Sequence, residues 1–421
     1  MELLREAIDF IKAIGPEGCF LLVLPLIFFE LPRYTLLYVV SMIFGRTPKS
    51  AKGGPLPDYS VVIAGHNEAG NIRNVVISMR EQSHPPAEIL VVSDGSTDAM
   101  RKELTKLYDA GLIQAAHHVD LRGGKAASLN LIMSFVNTEF IAQVDCDSSF
   151  DRHAMRRALE TMADQKIGVV SGNIVPRNDR QNLLTSLQAI EYLISISLGR
   201  QASDLLNQVS IASGAFTVYR RAALLDTVGL DAGSGEDLDI TLKMRQRKWH
   251  VRFEPEAICF TDVPSNLSAL TKQRLRWERD AISVRYRKYF DTINPFDRRF
   301  DPIEALHQIE FFFFNIIAAA ITPFYFLYVY FWFEEATYVV MLASYLFLFL
   351  HDLLVMAFAL YMNPRLNFIG LTPLLPFYSI YYIIYMRSLR LYAYVDEWLF
   401  RSSQKSDFVP QKVRTYLQEK S

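Results

Sequence analysis

Two carboxylates separated by one residue, Asp145 and Asp147, directly follow a short apolar run in the middle of the chain. Hard cations such as Mg²⁺ and Mn²⁺ prefer oxygen ligands and often bind through one or two carboxylates together with substrate phosphates. The same spacing is also common in an Asx turn at the end of a strand. The pair is therefore a candidate metal site, although the motif alone favours the turn.

Asp94 and Lys125 offer polar chemistry at two other predicted element boundaries. The polar residues at 96–98 are ordinary helix N-cap residues, whereas Asp94 is not placed as a cap and could accept hydrogen bonds from a ligand. Lys125 lies at a predicted helix start with no nearby acid, where a cation opposes the helix dipole. A bound phosphate would account for Lys125, and a solvated surface lysine is the alternative.

Two further acids, Glu236 and Asp237, precede the helical pattern at 238–247. Acids in a first helical turn stabilise the helix, so a capping role is sufficient to explain them. The functional alternative is a carboxylate general base at a helix N-terminus. Without other observations, the pattern favours the capping role.

A basic amphipathic stretch at 267–290 contains Gln273, Arg276 and Trp277. Its alternation of Lys and Arg with Leu, Ile and Trp is typical of a helix that lies on a membrane surface and contacts anionic lipid. That interpretation does not explain a Gln and a Trp beside the arginines. A second apolar helix, at 183–198, is predicted to be interfacial as well.

The elements that must position these residues are short apolar runs alternating with helical patterns, which predict a mostly parallel sheet with helices on both faces. Strands are predicted at 60–64, 88–93, 139–144 and 168–171, and helices at 71–82, 98–110, 125–135 and 152–163. Asn67 and Glu68 follow the first strand, Asp94 the second, and Asp145 the third of these. Ligands of such a sheet bind beyond the carboxyl ends of its strands, so these clusters are expected together on one edge.

Long apolar segments lie toward both ends of the chain, and they predict membrane spans at 18–45, 311–333, 336–362 and 366–386. Arg46, Lys49 and Lys52 directly follow the first span and predict that the middle of the chain is cytosolic. Three C-terminal spans would place the tail outside, whereas the Lys and Arg residues of 387–421 favour the inside. The proline-bearing segment at 366–386 is therefore re-entrant, or another segment is not a span.

The chain has 421 residues, with 44 Lys and Arg against 45 Asp and Glu. The resulting net charge of −1 excludes nucleic-acid binding by bulk charge. The low charged fraction of 21% and the abundant aromatic residues exclude disorder. Three widely spaced cysteines provide neither a disulfide framework nor a zinc-site spacing. The predicted organisation is an amphipathic segment with a span (1–45), a linker (46–57), a cytosolic domain (58–265) with an interfacial helix at about 182–200, amphipathic interfacial helices (266–302), C-terminal spans (303–386) and a basic tail (387–421).

Together these residues resemble the motifs of the membrane-embedded, processive family-2 glycosyltransferases, which include synthases of poly-N-acetylglucosamine, hyaluronan, chitin oligosaccharide and cellulose. The resemblance covers about 58–290 by motif and the flanking spans by architecture. The ordered set is His66, Asn67 and Glu68; Asp94, Gly95 and Ser96; Gly124 and Lys125 with Leu129 and Asn130; Asp145 and Asp147; Ser213 and Gly214; Glu236 and Asp237; and Gln273, Arg276 and Trp277. The last element, Gln-x-x-Arg-Trp, marks processive members of the family.

The resemblance implies an α/β fold, a GT-A-like, doubly wound mixed sheet that binds a nucleotide sugar and is inserted between transmembrane helices. It implies that Glu236 and Asp237 are catalytic, with Asp237 as the general base, and that Asp145 and Asp147 hold Mg²⁺ or Mn²⁺. Donor binding would fall to Asn67, Glu68, Asp94, Lys125, Asp145, Gln273 and Arg276, and acceptor binding to Trp277, Ser213 and Gly214.

The function that the resemblance implies is that of a processive, inverting β-glycosyltransferase. It would add sugar from a UDP-sugar to the non-reducing end of a polysaccharide and move the product across the plasma (inner) membrane, with its catalytic domain in the cytosol. Expected partners are the UDP-sugar, the growing polysaccharide, the lipid bilayer and, where the activity is regulated, a regulatory or export chain. Two alternatives stay open: a non-processive membrane glycosyltransferase with a lipid acceptor, and a non-catalytic membrane component that binds nucleotide sugars.

Overall fold

The computed structural model describes residues 55–405 apart from 232, 234, 334 and 335, together with isolated positions between 5 and 43 and Thr415. The predicted span at 18–45 and the tail beyond 405 lie outside the described residues, except for those isolated positions.

Eight strands form one mixed sheet in the order β3-β2-β1-β4-β7-β6-β8-β5. They are β1 (Tyr59–Gly65), β2 (Glu88–Asp94), β3 (Ala115–Val119), β4 (Phe140–Val144), β5 (Ser149–Phe150), β6 (Ile167–Pro176), β7 (Phe216–Arg220) and β8 (His250–Thr261). Strands β1 to β4 pair in parallel, whereas β7 runs antiparallel to both β4 and β6. The carboxyl ends of β1, β2 and β4 therefore meet at one edge of the sheet.

Helices cover the sheet and continue beyond it. They are α1 (Ile72–Arg80), α2 (Met100–Asp109), α3 (Lys125–Met133), α4 (Ala154–Thr161), α5 (Leu183–Glu191), α6 (Gly199–Leu205), α7 (Arg221–Asp226), α8 (Glu236–Gln246), α9 (Leu267–Ser283), α10 (Pro302–Phe311), α11 (Ala318–Phe333), α12 (Thr337–Met362), α13 (Leu375–Ile380) and α14 (Arg387–Phe400). Wider π-type turns at Tyr192–Leu198, Val284–Lys288, Phe312–Ile317 and Tyr381–Met386 continue the helices they adjoin.

Alternation along the strands explains why both faces of the sheet are covered. Val61 and Ile63 of β1 belong to a core with α1, α2 and α4, whereas Val62 belongs to a second core with α3, α7 and α8. Successive side chains of a strand point to opposite faces, so a strand that is apolar throughout requires a layer of helices on each side. The prediction of an α/β sheet between helical layers is confirmed.

The four predicted strands are present as β1, β2, β4 and β6. The other four were not predicted, and three of them, β3, β7 and β8, have identifiable reasons. Strand β3 is half-buried along its whole length, so it has no clear apolar run. Strand β8 contains Pro255, and its pairing with β6 shifts register near that residue. Strand β7 follows a long helical segment and reverses direction, which makes the sheet mixed.

Three helical stretches, Pro302–Phe333, Thr337–Met362 and Ile369–Phe400, are long and apolar enough to cross a membrane. The third runs 14 residues beyond the predicted span at 366–386, because α14 continues it. Pro373 lies inside the 3₁₀ turn Ile369–Leu374 that opens this stretch, and Pro376 lies in the first turn of α13, where a missing backbone N–H disturbs little. These prolines therefore start the helix rather than interrupt it, and the side on which the tail lies stays a prediction.

The C-terminal helices pack directly on the helical segment at 183–205 and on α9. A shared core joins Leu187 and Leu193 of the 183–205 helical segment to Leu270 of α9 and to Val355 and Leu375 of the C-terminal helices. Burial of such apolar side chains stabilises the docking by roughly 1.5–3 kcal/mol for each residue that is fully enclosed. The helix carrying the Gln-x-x-Arg-Trp element is therefore fixed between the sheet and the apolar helices.

Candidate active site

The carboxyl edge of the sheet brings together the loops that follow β1 and β2. Asn67 has a left-handed backbone with a φ of 59°, and its Oδ1 accepts a hydrogen bond from the backbone N–H of Thr97 at 2.8 Å. The backbone N–H of Asn67 donates in return to Ser96 Oγ at 3.1 Å. Asn67 therefore ties the two loops together, and its contact with a donor stays a prediction.

Asp94 is buried, and both of its carboxylate oxygens accept hydrogen bonds from a glycine loop. Gly123 N donates to Oδ1 at 2.7 Å and Gly124 N donates to Oδ2 at 2.8 Å. The loop lies so close that a Cβ on Gly95, whose φ is +62°, would stand 2.6 Å from Arg122 N. Asp94 thus shapes the loop that leads into α3 and sets the position of Lys125.

Lys125, Asp145 and Glu236 meet at the centre of the site. Lys125 Nζ lies 2.6 Å from Asp145 Oδ1 and 3.9 Å from Glu236 Oε1. Burial alone would lower the pKa of Lys125, but the two carboxylates outweigh it and raise the pKa above its usual range. A Cβ on Gly214 would stand 2.8 Å from Lys125 Nζ, so the glycine keeps space open for this cation.

Asp147 lies on the exposed side of the same group of acids. Burial, followed by the charges of Asp145 and Glu68, raises the pKa of Asp147 to about 6. Crowded carboxylates of this kind are relieved by a divalent cation, and the donor set consists of oxygens. Within the described part of the chain, no group of three or more His, Cys, Asp or Glu residues could hold a metal, so Asp145 and Asp147 could supply two ligands and substrate phosphates or water the rest.

Glu68 lies near these acids, and its carboxylate accepts a hydrogen bond from Asn71 Nδ2 at 2.7 Å. The preceding residue, His66, hydrogen-bonds through Nδ1 to the backbone carbonyl of Asp94 at 2.7 Å. The segment after β1 is therefore held on both sides of Asn67. Whether Glu68 contacts the donor stays a prediction.

The two predicted catalytic acids begin α8. Gly235 precedes them with a φ of +79°, and a Cβ there would stand 3.1 Å from Asp280 Cβ. This glycine therefore allows both the turn and the close approach of α9. Unpaired N–H groups at a helix N-terminus favour acidic residues, so both acids suit this position.

Asp237 is turned toward the loop that contains Ser213 and Gly214. Its Oδ2 lies 3.5 Å from Gly214 N, at the limit of a hydrogen bond, and its Oδ1 accepts from Leu238 N at 2.9 Å. Burial raises the pKa of Glu236. The charge of Lys125 lowers this pKa, and the charge of Asp237 raises it further. Ser213 N donates to Ser171 Oγ at 3.2 Å, which anchors this loop to β6.

Helix α9 presents Gln273, Arg276 and Trp277 at spacings of three and four residues, which place them on one helix face. Asp280, on the same face, packs beside Gly235 at the start of α8. Trp277 also packs against the core beneath the sheet. The fold therefore directs this face toward the two acids of α8, whereas contact with donor or acceptor stays a prediction.

The residue that sequence reasoning missed on this helix is Arg274, which was assigned only to membrane-surface contacts. Its guanidinium lies 4.4 Å above the Trp277 ring, and its Nη2 donates to Glu191 Oε2 at 3.0 Å. Tyr381 from the third apolar helix also donates to Glu191 Oε2 at 3.0 Å. The alternation of charged and apolar residues gave no sign of this buried contact, since its partners are distant in the sequence.

Other basic residues of the same stretch are also paired with protein groups. Arg279 lies 2.7 Å from Asp396, and Arg287 Nη1 lies 2.8 Å from Glu397 Oε1. Glu278 accepts from Arg390 at 3.0 Å and from Tyr394 at 2.6 Å. Two basic residues of 267–288, Arg279 and Arg287, are therefore paired with α14, and Glu278 binds the same helix.

Comparison with known proteins identifies the family. The sequence profile described as "Glycosyltransferase like family 2" matches residues 57–279, more than half of the 421-residue chain. The chain therefore belongs to glycosyltransferase family 2, as the resemblance in its motifs implied.

Two relatives and one solved structure refine this assignment. The poly-beta-1,6-N-acetyl-D-glucosamine synthase of Staphylococcus epidermidis is 28% identical over 239 residues, which cover 56% of this chain and 57% of that protein. The synthase of Staphylococcus aureus strain MSSA476 is 28% identical over 242 residues, which cover 56% and 58%. The chain thus matches somewhat more than half the length of these relatives.

The solved structure is the mannosyltransferase PcManGT from Pyrobaculum calidifontis in complex with GDP-Man and Mn²⁺. It superposes with a TM-score of 0.56 at 18% identity and covers 88% of this chain and 96% of that one. This likeness confirms the GT-A-like fold. Within the described residues, this family-2 glycosyltransferase has three helices that are long and apolar enough to fit membrane association.

Proposed function

We propose that this protein is an inverting polysaccharide synthase that transfers N-acetylglucosamine from its UDP-sugar to a growing β-linked chain. The observation that carries the proposal is the meeting of Lys125 with Asp145 and Glu236 at the carboxyl edge of the sheet. The names of the relatives support N-acetylglucosamine as the sugar and a poly-β-1,6 product.

In the proposed reaction, Asp237 accepts the proton of the acceptor hydroxyl as its oxygen attacks the anomeric carbon of the donor. The new C–O bond forms while the bond from the anomeric carbon to the diphosphate breaks, and UDP leaves with the bonding electrons. Lys125 and Arg276 stabilise the charge that develops on the leaving phosphate oxygens. Asp145 and Asp147 would hold a divalent cation, which would supply further charge neutralisation for the diphosphate.

Processive synthesis and export are the finer part of the proposal. Trp277 would support the terminal acceptor sugar with its flat apolar face, and the three apolar helices would carry the product through the plasma membrane. The catalytic domain would face the cytosol, where nucleotide sugars are made. A lipid acceptor with single-sugar transfer is the alternative outcome.

The test uses the full chain in nanodiscs with Mn²⁺ or Mg²⁺ and a panel of nucleotide sugars that includes UDP-N-acetylglucosamine, other UDP-sugars and GDP-mannose. UDP release and product length are followed together, with the Asp237→Asn variant as the inactive control. Long polymer from UDP-N-acetylglucosamine alone is the expected result. A lipid-extractable product with one added sugar contradicts processivity, and absence of turnover with every donor contradicts the enzyme assignment.

A further inference from the structure

Arg200 on α6 is as deeply buried as the structural arginines of this protein but is bonded very differently. Arg200 is 7% exposed and Arg220 is 8% exposed. Arg220 donates to four acceptors, the carbonyls of 162, 164 and 167 and the carboxylate of Glu139. Within the described residues, the guanidinium of Arg200 donates one hydrogen bond, from Nη1 to Ser171 Oγ at 3.3 Å.

A buried guanidinium without a paired carboxylate is costly, because its charge has lost the hydration of water. Arg252, beside the same helix, shows the usual solution, since it forms two hydrogen bonds of 2.7 Å to Asp204. No described carboxylate lies within ion-pairing distance of Arg200. Folding alone therefore does not account for this residue.

The remaining N–H groups of Arg200 open onto accessible space rather than into sealed protein. No nitrogen of the Arg200 guanidinium is both fully enclosed and without a hydrogen-bond partner. The carboxylate that acts most strongly on Arg200 is Asp237, the proposed base. Geometry agrees, because Ser171 Oγ accepts from both Arg200 and Ser213 N, and Gly214 N, the next residue, lies 3.5 Å from Asp237 Oδ2.

The surroundings indicate which side of the site this space belongs to. Ser171 Oγ accepts from Arg200 and also from Ser213 N, so Arg200 lies beside the loop of Ser213 and Gly214. Tyr192 is the next group that acts on Arg200, and its ring lies 5.6 Å from the Arg274 guanidinium that covers Trp277. Arg200 therefore lies near the Asp237 loop and near Tyr192, which adjoins Arg274 and through it Trp277.

We propose that Arg200 is an acceptor-binding residue whose guanidinium donates hydrogen bonds to the terminal sugar of the acceptor, beside the hydroxyl that Asp237 deprotonates. This inference rests on the proposed function and deepens it. Glu236 and Asp237 disfavour an anionic ligand in this space, so a neutral group with hydroxyl or amide oxygens is the matching chemistry. The planar fork of the guanidinium suits two such oxygens at once.

The charge of Arg200 is present under working conditions. Burial lowers the pKa of Arg200 to about 10, and the charge of Asp237 partly offsets that effect. A pKa of about 10 leaves the guanidinium protonated at neutral pH. The residue therefore acts as a hydrogen-bond donor throughout the reaction.

The test compares Arg200→Gln and Arg200→Lys with wild type in nanodiscs, using the donor that supports turnover and a β-1,6-linked N-acetylglucosamine oligosaccharide as acceptor. We expect Arg200→Gln to raise the acceptor KM by about tenfold or more, with the donor KM changed less than twofold. Arg200→Lys keeps the charge but loses the planar fork of the guanidinium. Its acceptor KM should therefore lie between those of wild type and Arg200→Gln. Arg156→Gln, which alters an exposed arginine paired with Glu160 at 3.0 Å, is the matched control and should behave as wild type.

Thermal unfolding separates binding from a structural role. Replacing a buried charge that lacks a paired carboxylate should leave the melting temperature of Arg200→Gln unchanged or higher. An unchanged acceptor KM, or a melting temperature that falls in parallel with activity in both variants, overturns the inference while the synthase assignment stands. Wild-type protein that transfers sugar from no donor overturns the synthase assignment and the inference together.

Discussion

At the carboxyl edge of the sheet, functional side chains are held by backbone groups from the next loop, whereas on α9 they are held by other side chains. Asp94 accepts from the N–H groups of Gly123 and Gly124, and Asn67 accepts from Thr97 N. Arg274 instead depends on Glu191, which also binds Tyr381 of the third apolar helix. The first arrangement follows from the sheet itself, and the second exists only when the apolar helices have docked.

This difference separates the two halves of the proposed reaction. The donor side should keep its geometry as long as the sheet is folded, because its bonds are local to neighbouring parallel strands. The acceptor side should respond to changes in the apolar helices, because α9 is bonded to α14 and to Tyr381. Substitutions in each region test this distinction.

The largest expected effect is on chemistry, from Asp237→Asn. Loss of the general base should lower kcat by about 10²–10⁴-fold while donor affinity stays close to wild type. The measurement is UDP release at saturating donor, together with donor binding by calorimetry. Asp120→Asn alters a carboxylate whose side chain is 93% exposed and serves as the matched control. Near-normal turnover in Asp237→Asn would remove the base assignment.

The next effect is on stability, from Glu191→Gln. This change leaves the buried Arg274 cation without its carboxylate, which typically costs about 3–5 kcal/mol. The measurement is the free energy of unfolding in detergent, with Glu103→Gln at an exposed Lys106 pair as the control that changes little. The double variant Glu191→Gln/Arg274→Met should recover most of the loss. Equal losses in the single and double variants would show that the pair is not what holds α9.

A smaller effect is expected at the sheet edge, from Asp94→Asn. One of the two backbone N–H donors would then face an amide NH₂, and the loss of a hydrogen bond to a charged group amounts to about 1.5–3 kcal/mol. The glycine loop that positions Lys125 would be held less firmly. The donor KM should therefore rise while the acceptor KM stays near wild type. Denaturation and two-substrate kinetics measure both quantities. A rise in the acceptor KM alone would mean that the two regions are not separable.

The smallest effect is expected from Tyr385→Phe on the third apolar helix. The Tyr385 hydroxyl shares a hydrogen bond of 2.8 Å with Thr271 Oγ1 of α9, and a neutral bond of this kind contributes about 0.5–1.5 kcal/mol. A modest loss of stability with an unchanged donor KM is therefore expected from thermal unfolding and kinetics. Tyr392→Phe, at an exposed position, is the control. A changed donor KM would contradict the separation of the two sides.

Much of the donor side could be predicted from sequence because its residues follow strands that are neighbours in the sheet. Asn67, Asp94 and Asp145 each follow an apolar strand, and parallel neighbours bring those strand ends together. The same reasoning failed for Arg274 and Arg200. The bond from Arg274 to Glu191 spans 83 residues, and that from Tyr381 to Glu191 spans 190.

The sheet between two helical layers, the strand-end acids and the apolar helices follow from the amino-acid sequence, since periodicity and strand-end position are local properties of the chain. The folded structure was needed to show which cations of 267–288 are buried and paired, how the prolines open the third helical stretch, and that Arg200 lies near Asp237 without a paired carboxylate. Those outcomes depend on which distant carboxylate arrives within a few ångströms. In a buried environment that proximity, rather than residue type, decides whether a charge is compensated or left for a ligand.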